Sequence, residues 1–222
     1  MQSENGVLYQ THPRTKGSMG FPDQIRETDF FRDPRYLGAG WKAMPSDLST
    51  LRQGVRALNL LDDMNNWGLP KRLLGEVDVF QIDSTHELYA HMNVNYVRMK
   101  GLPGFDRYGL VLDALSRGDY FISTGEVLLP EVSISTGSSG AIKTRVKVLW
   151  TFPLSFAEIV WSDGGSTQRR IIPLDKTRGF SSDSFEWEAG APNWKWARVA
   201  VWDVAGNGAL VNPVWWERQS SQ

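Results

Sequence analysis

The spacing of apolar residues changes once along this chain, from helical to alternating, and that change limits what it can fold into more than any other feature. Before Gly125 the stripes are helical: Leu51, Val55, Leu58 and Leu61 recur at helix spacing, as do Leu110, Val111, Ala114 and Leu115, with Gly118 placed to end a helix. Beyond Gly125 the period is two. Val146, Val148 and Trp150 alternate with Arg145 and Lys147; Ala157, Ile159 and Trp161 flank Glu158; Ala197, Val199 and Val201 flank Arg198. Further strands are expected over Val132 to Ser135, Gln168 to Leu174, Ser184 to Glu188 and Ala209 to Trp215. Turn signals fall between them at Gly137-Ser138-Ser139-Gly140, Asp163-Gly164-Gly165 and Gly206-Asn207-Gly208. Short half-buried strands in this rhythm predict an antiparallel, Ig-like β-sandwich. The fold class is α+β, with one unit over 1–125 and the sandwich over 126–222.

The first half is read as follows. Gly6 to Thr11 is a short strand running into His12-Pro13-Arg14, where proline holds the preceding residue extended. From Thr15 to Ser49, glycine and proline interrupt every period, which predicts a long, mostly irregular excursion. Asp47 or Ser49 can cap the helix of the Leu51 stripe, and a second short helix fits before Leu73-Leu74-Gly75. Val77 to Ile82 has the length and apolarity of a parallel strand, with Asp83, Ser84, Thr85 and His86 beyond its end.

Composition narrows the partners. The 222 residues carry 24 basic and 25 acidic side chains in no block, so nothing tracks a phosphate backbone and nucleic acid is not expected. No run approaches the ~18 apolar residues of a membrane span, so no membrane partner is expected. The first residues lack the basic start and apolar run of a signal peptide, which leaves localisation open. With no cysteine, there is no disulfide, thiolate site or cysteine nucleophile, and any metal must use His, Asp and Glu.

His12, Asp83 and His86 follow strands and are ligand types suited to Zn, Mn or Fe. Taken alone they also read as a loop histidine and a helix cap. His86-Glu87-Leu88-Tyr89-Ala90-His91 places three residues between Glu87 and His91, one too many for the zinc-protease helix. Asp62-Asp63 and Asn65-Asn66 lack the glycine and terminal glutamate of an EF-hand loop and suit a helix end better. Eight of the ten tryptophans lie at or beyond Trp150, which raises sugar stacking as one use of the sandwich and core packing as the commoner one.

The order of the signals adds to this. His12-Pro13, Asp63-Met64-Asn65-Asn66-Trp67, Leu73-Leu74-Gly75, Asp83 to His86, the segment Val111 to Gly118, Phe121-Ile122-Ser123-Thr124-Gly125, and closing strands from Trp196 to Val214 follow one another. In that order the chain resembles the polymerase-and-histidinol-phosphatase (PHP) metallohydrolases, most closely their carbaryl-hydrolase-like branch. The resemblance implies the C-terminal part of a distorted α/β barrel followed by a β-sandwich. It implies metal-activated water as the nucleophile toward a phosphoester, ester or carbamate in a small-molecule substrate. It makes His12, Asp83 and His86 metal ligands, and places Arg14 and His91 toward substrate. The family separates Asp from His by one residue; here Ser84 and Thr85 intervene, so His91 or Glu87 are alternative ligands.

The family's opening His-x-His segment should lie far upstream of His12. Its position implies either the C-terminal portion of a longer enzyme or a degenerate descendant, in both cases with an incomplete divalent-metal site. An apolar edge, and with it a homo-oligomer or a missing N-terminal segment, is then expected. The competing expectation is a non-catalytic β-sandwich used for interaction or carbohydrate binding.

Overall fold

A computed structural model describes residues 6–42, 49–77, 93–137 and 140–216. Its first sheet is parallel: β1 (Leu8–Gln10), β2 (Tyr36–Trp41) and β3 (Arg72–Gly75), in that order. A short helix α1 (Asp29–Arg32) precedes β2, capped by Thr28, whose Oγ1 accepts from the Phe31 amide. Helix α2 (Val55–Asn66) crosses from β2 to β3.

Three expectations need correction here. The stretch Thr15 to Ser49, expected to be mostly irregular, holds a strand that was not foreseen, since β2 lies in it and is buried along its whole length. Its glycines disguise it: a Cβ at Gly38 would overlap the Arg72 carbonyl, and one at Gly40 would overlap the Glu76 carboxylate. Close approach of neighbours selects glycine in this strand, and no apolar period can then be read. Helix α2 starts behind Gly54 at φ 63° with no side-chain cap, which leaves Leu51 outside the helix and Ser49 too early to cap it. Asp47 lies outside the described residues. Trp67 to Pro70 forms a turn rather than a second helix, and Leu73 and Leu74 are buried in β3. Of the strand expected over Val77 to Ile82, all but Val77 lies outside the described residues.

The helix of the Leu110 stripe is present as α3 (Gly109–Arg117), ended by Gly118 at φ 79°. The period-two segments are strands. Together with β4 (Val94–Val97) and β5 (Tyr120–Ser123), they are β6 (Val127–Thr136), β7 (Ile142–Trp150), β8 (Leu154–Ser162), β9 (Thr167–Pro173), β10 (Ser181–Ala189), β11 (Trp196–Asp203), β12 (Gly208–Val211) and β13 (Val214–Trp215). They form two antiparallel sheets. One has three strands in the order β10-β7-β6; the other has seven, β4-β5-β12-β11-β8-β9 with β13 paired to β11. Hydrogen bonding crosses residue 125, since β5 pairs with β12 through Phe121↔Val211, Ile122↔Leu210 and Ser123↔Ala209.

The seven-stranded sheet is a middle layer. Toward the three-stranded sheet, Ala197, Val199 and Val201 of β11 pack with Ile142, Val146 and Val148. Toward the other side, Ala200, Trp202 and Leu210 join Trp41, Leu58, Leu61 and Leu73 in a second core. Every residue of β11 is therefore buried, not half of them as alternation implied. Arg198 sits on the second side, under α2. Its Nε and one terminal nitrogen donate to the Asp62 carboxylate at 2.7 and 2.9 Å. Glu158 of β8, also fully buried, accepts from Arg52 at 2.8 Å and the Trp202 indole at 3.3 Å, and is ion-paired with Arg169 at 3.0 Å. Breaking such a pair from one side costs about 3–5 kcal/mol, because the remaining charge stays buried alone.

Candidate functional site

The carboxyl end of the parallel sheet gathers chemistry-bearing residues from two chain segments. Past β1 the backbone turns sharply: His12 and Arg14 have φ 47° and 54°, left-handed values uncommon away from glycine, on either side of buried Pro13. The Thr15 amide and hydroxyl both donate to the His12 carbonyl, at 3.2 and 3.0 Å, closing the turn. The left-handed φ of His12 corrects the extended backbone expected before Pro13, and two such residues flanking one proline are a strained arrangement of the kind that collects at functional sites.

Past β3 comes Glu76, which is 9% exposed. Its amide donates to the Trp41 carbonyl at 3.0 Å, extending the β2–β3 pairing by one residue. Its carboxylate lies over Gly40 and accepts from the His12 amide at 3.4 Å, a long contact. The structure thus brings together the turn at His12 and the carboxylate of Glu76. Tyr9 of β1 is close enough to feel them: burial, and secondarily the charge of Glu76, raise its phenol above the ordinary value.

Side chains of the middle layer fix β3, and with it Glu76. The Leu73 amide donates to Asn212 Oδ1 at 2.8 Å, and the Leu73 carbonyl accepts from the Tyr120 hydroxyl at 2.6 Å. One residue pair further along, the Asn95 amide group bonds both the Gly75 N–H and the Gly75 carbonyl, at 2.8 and 2.9 Å. These amides supply what another strand would otherwise supply at the edge of the sheet.

Arg14 faces away from open solvent into two carboxylates, Asp23 at 2.7 Å and Asp63 at 2.7 Å. Its hydrogen bond holds the Asp23 carboxyl below the ordinary carboxylate range. The guanidinium therefore ties the His12 turn to α2. Asp83, His86, Glu87 and His91 lie outside the described residues. Among the described residues no group of three or more His, Asp or Glu side chains is placed to hold a metal ion. Glu76 was not anticipated, although a carboxylate directly after Leu73-Leu74-Gly75 is the signal; it was obscured because the sequence suggested a helix before those three residues and no strand in them.

Four tryptophans of the sandwich, Trp150, Trp194, Trp196 and Trp202, serve packing, while Trp161, Trp187 and Trp215 are half-buried and Trp216 is 42% exposed. Trp196 and Trp202 are fully buried, Trp194 nearly so, and Trp202 meets Trp41 edge-on at 6.2 Å across the second core. No protein-family model matches the chain, and no curated protein or solved structure matches it.

Proposed function

We propose that this chain supplies one wall of a divalent-metal-dependent hydrolase site at the carboxyl edge of its parallel sheet, acting on a phosphoester, ester or carbamate of a small molecule. The observation that carries this reading is the meeting of the His12 turn and the Glu76 carboxylate at that edge. Ends of parallel strands are where side chains distant in sequence converge in α/β folds. Asp83 and His86 follow Val77 in the sequence. The motif order shared with the PHP metallohydrolases supports it, as does a parallel sheet that can be read as part of their distorted barrel.

Imidazole nitrogen and carboxylate oxygen suit Zn, Mn or Fe, so His12 and Glu76, with Asp83 and His86, would hold the ion. When bound, such an ion makes hydroxide available from water near neutral pH and polarises the oxygen under attack. The rest falls to the chain. Glu76 holds the His12 turn through its amide, Gly40 leaves room for the carboxylate, and Arg14 anchors the turn to Asp23 and Asp63 rather than meeting substrate.

The test is calorimetric titration of Zn and of Mn into the wild type, His12→Ala and Glu76→Gln at neutral pH. Binding should be weak in the wild type and at least about tenfold weaker in each variant, since few protein donors leave an ion largely hydrated. Equal binding by all three proteins removes the site.

A further inference from the structure

Residues 98–115 present an apolar surface that the rest of the described chain does not cover. Leu102 and Phe105 are 100% and 102% exposed, with Tyr108 and Leu110 at 63% and 51%. Helix α3 buries Ala114 alone, leaving Val111, Leu112 and Leu115 half covered. Single exposed apolar residues are ordinary; a contiguous set with two members wholly in water marks an interaction surface.

Charge identifies the partner. Arg98, Lys100 and Arg107 are exposed around this loop, against Asp106. Arg98 reaches the Pro130 carbonyl at 3.4 Å, and none of the three cations forms an ion pair with a described residue. Arg117, by contrast, is committed to Asp119 at 2.7 Å. A second copy meeting this face about a twofold axis would bring the same three cations together. Full exposure of Leu102 and Phe105 also means that they project rather than line a groove. Projecting apolar side chains interleaved in sequence with exposed cations that pair with no described residue match the boundary between acyl chains and anionic headgroups.

We propose that residues 98–110, with the first turn of α3, form a peripheral docking surface for an anionic phospholipid bilayer, inserting Leu102 and Phe105 and setting Arg98, Lys100 and Arg107 on the headgroups. Among the described residues no helix is long and apolar enough to cross a membrane. A peripheral contact requires none, so the absence of an apolar run in the sequence does not bear on it.

The experiment is co-sedimentation with vesicles of phosphatidylcholine alone and of phosphatidylcholine mixed equally with phosphatidylglycerol. The wild type should bind the mixed vesicles and be released by salt. The double variant Leu102→Ser/Phe105→Ser should partition on the order of 100-fold less. The triple variant Arg98→Gln/Lys100→Gln/Arg107→Gln should lose a similar factor. Thermal melts of both variants should match the wild type, because the two apolar side chains are fully exposed and the three cations make no ion pair with a described residue. No binding to mixed vesicles overturns the proposal, as does binding that the variants leave unchanged. A dimer in sedimentation velocity that Phe105→Ser dissolves, without vesicle binding, assigns the surface to a second copy instead.

Discussion

Lys71 is a cation held where a cation is costly. It is 4% exposed, with its ammonium donating to the Tyr36 carbonyl at 2.6 Å and lying over the rings of Phe31 and Tyr36 at 4.7 and 5.0 Å. Carbonyl and ring contacts offset part of the desolvation, but burial still pulls the amine down to about 8. Below that value the residue is charged in both the folded and unfolded chain, and the cost of burying the charge is fully present. Between about 8 and the unfolded value near ~10.4 the folded chain sheds the proton first, so the cost is relieved as pH rises. The urea stability of the wild type, measured against Lys71→Met, should therefore increase by roughly 1–3 kcal/mol from pH 7 to pH 10. A difference that stays flat over this range would place the lysine in water.

At the scale of the element, β2 joins fold and site through two glycines with different duties. Gly38 is at φ 141° and its missing Cβ makes room for the Arg72 backbone, which cannot retreat without breaking the β2–β3 pairing. Gly38→Ala should destabilise by about 2 kcal/mol or more in urea titration. Gly40 faces the Glu76 carboxylate, the end of a flexible side chain. Gly40→Ala should therefore leave the melt nearly unchanged while lowering Zn and Mn binding as Glu76→Gln does; a large loss of stability with intact binding would reverse the assignment. These glycines also show which parts of the fold could be read from sequence. Strands β6 to β12 and helix α3 were legible because apolar period and turn residues agreed locally, down to Gly118. Strand β2 was not, since in Tyr36-Leu37-Gly38-Ala39-Gly40-Trp41 the packing partner is backbone and a carboxylate. Of the candidate site, His12 was legible as a polar residue past a strand. Glu76 was not, because its setting depends on a neighbouring strand that the sequence concealed.

In the whole molecule, the middle sheet takes β4 and β5 from before residue 125 and the rest from after it, and both its faces are covered. The division at 125 thus has a direct test. Residues 126–222 expressed alone would expose Trp202, Ala200 and Leu210, and would leave Arg198 without Asp62 and Glu158 without Arg52. That fragment should bind a hydrophobic dye and lack a cooperative melt, and mixing with residues 1–125 should restore one. A sharp independent melt would establish the sandwich as a self-sufficient unit. The two-sided burial of β11 has one more consequence, for folding fidelity. In a strand buried on both faces, apolarity alone hardly distinguishes the native alignment from one slipped by a residue, which would merely exchange alanines, valines and tryptophans between two oily compartments. Arg198 breaks that degeneracy. A slip by one carries its guanidinium into the apolar sandwich and sets Ala197 or Val199 against the Asp62 carboxylate, so the misaligned chain buries an orphaned guanidinium and strips Asp62 of its two-point partner, while Glu158 keeps Arg52 and Arg169. The buried pair thus acts as a proofreading mark for strand alignment, whatever its net contribution to stability.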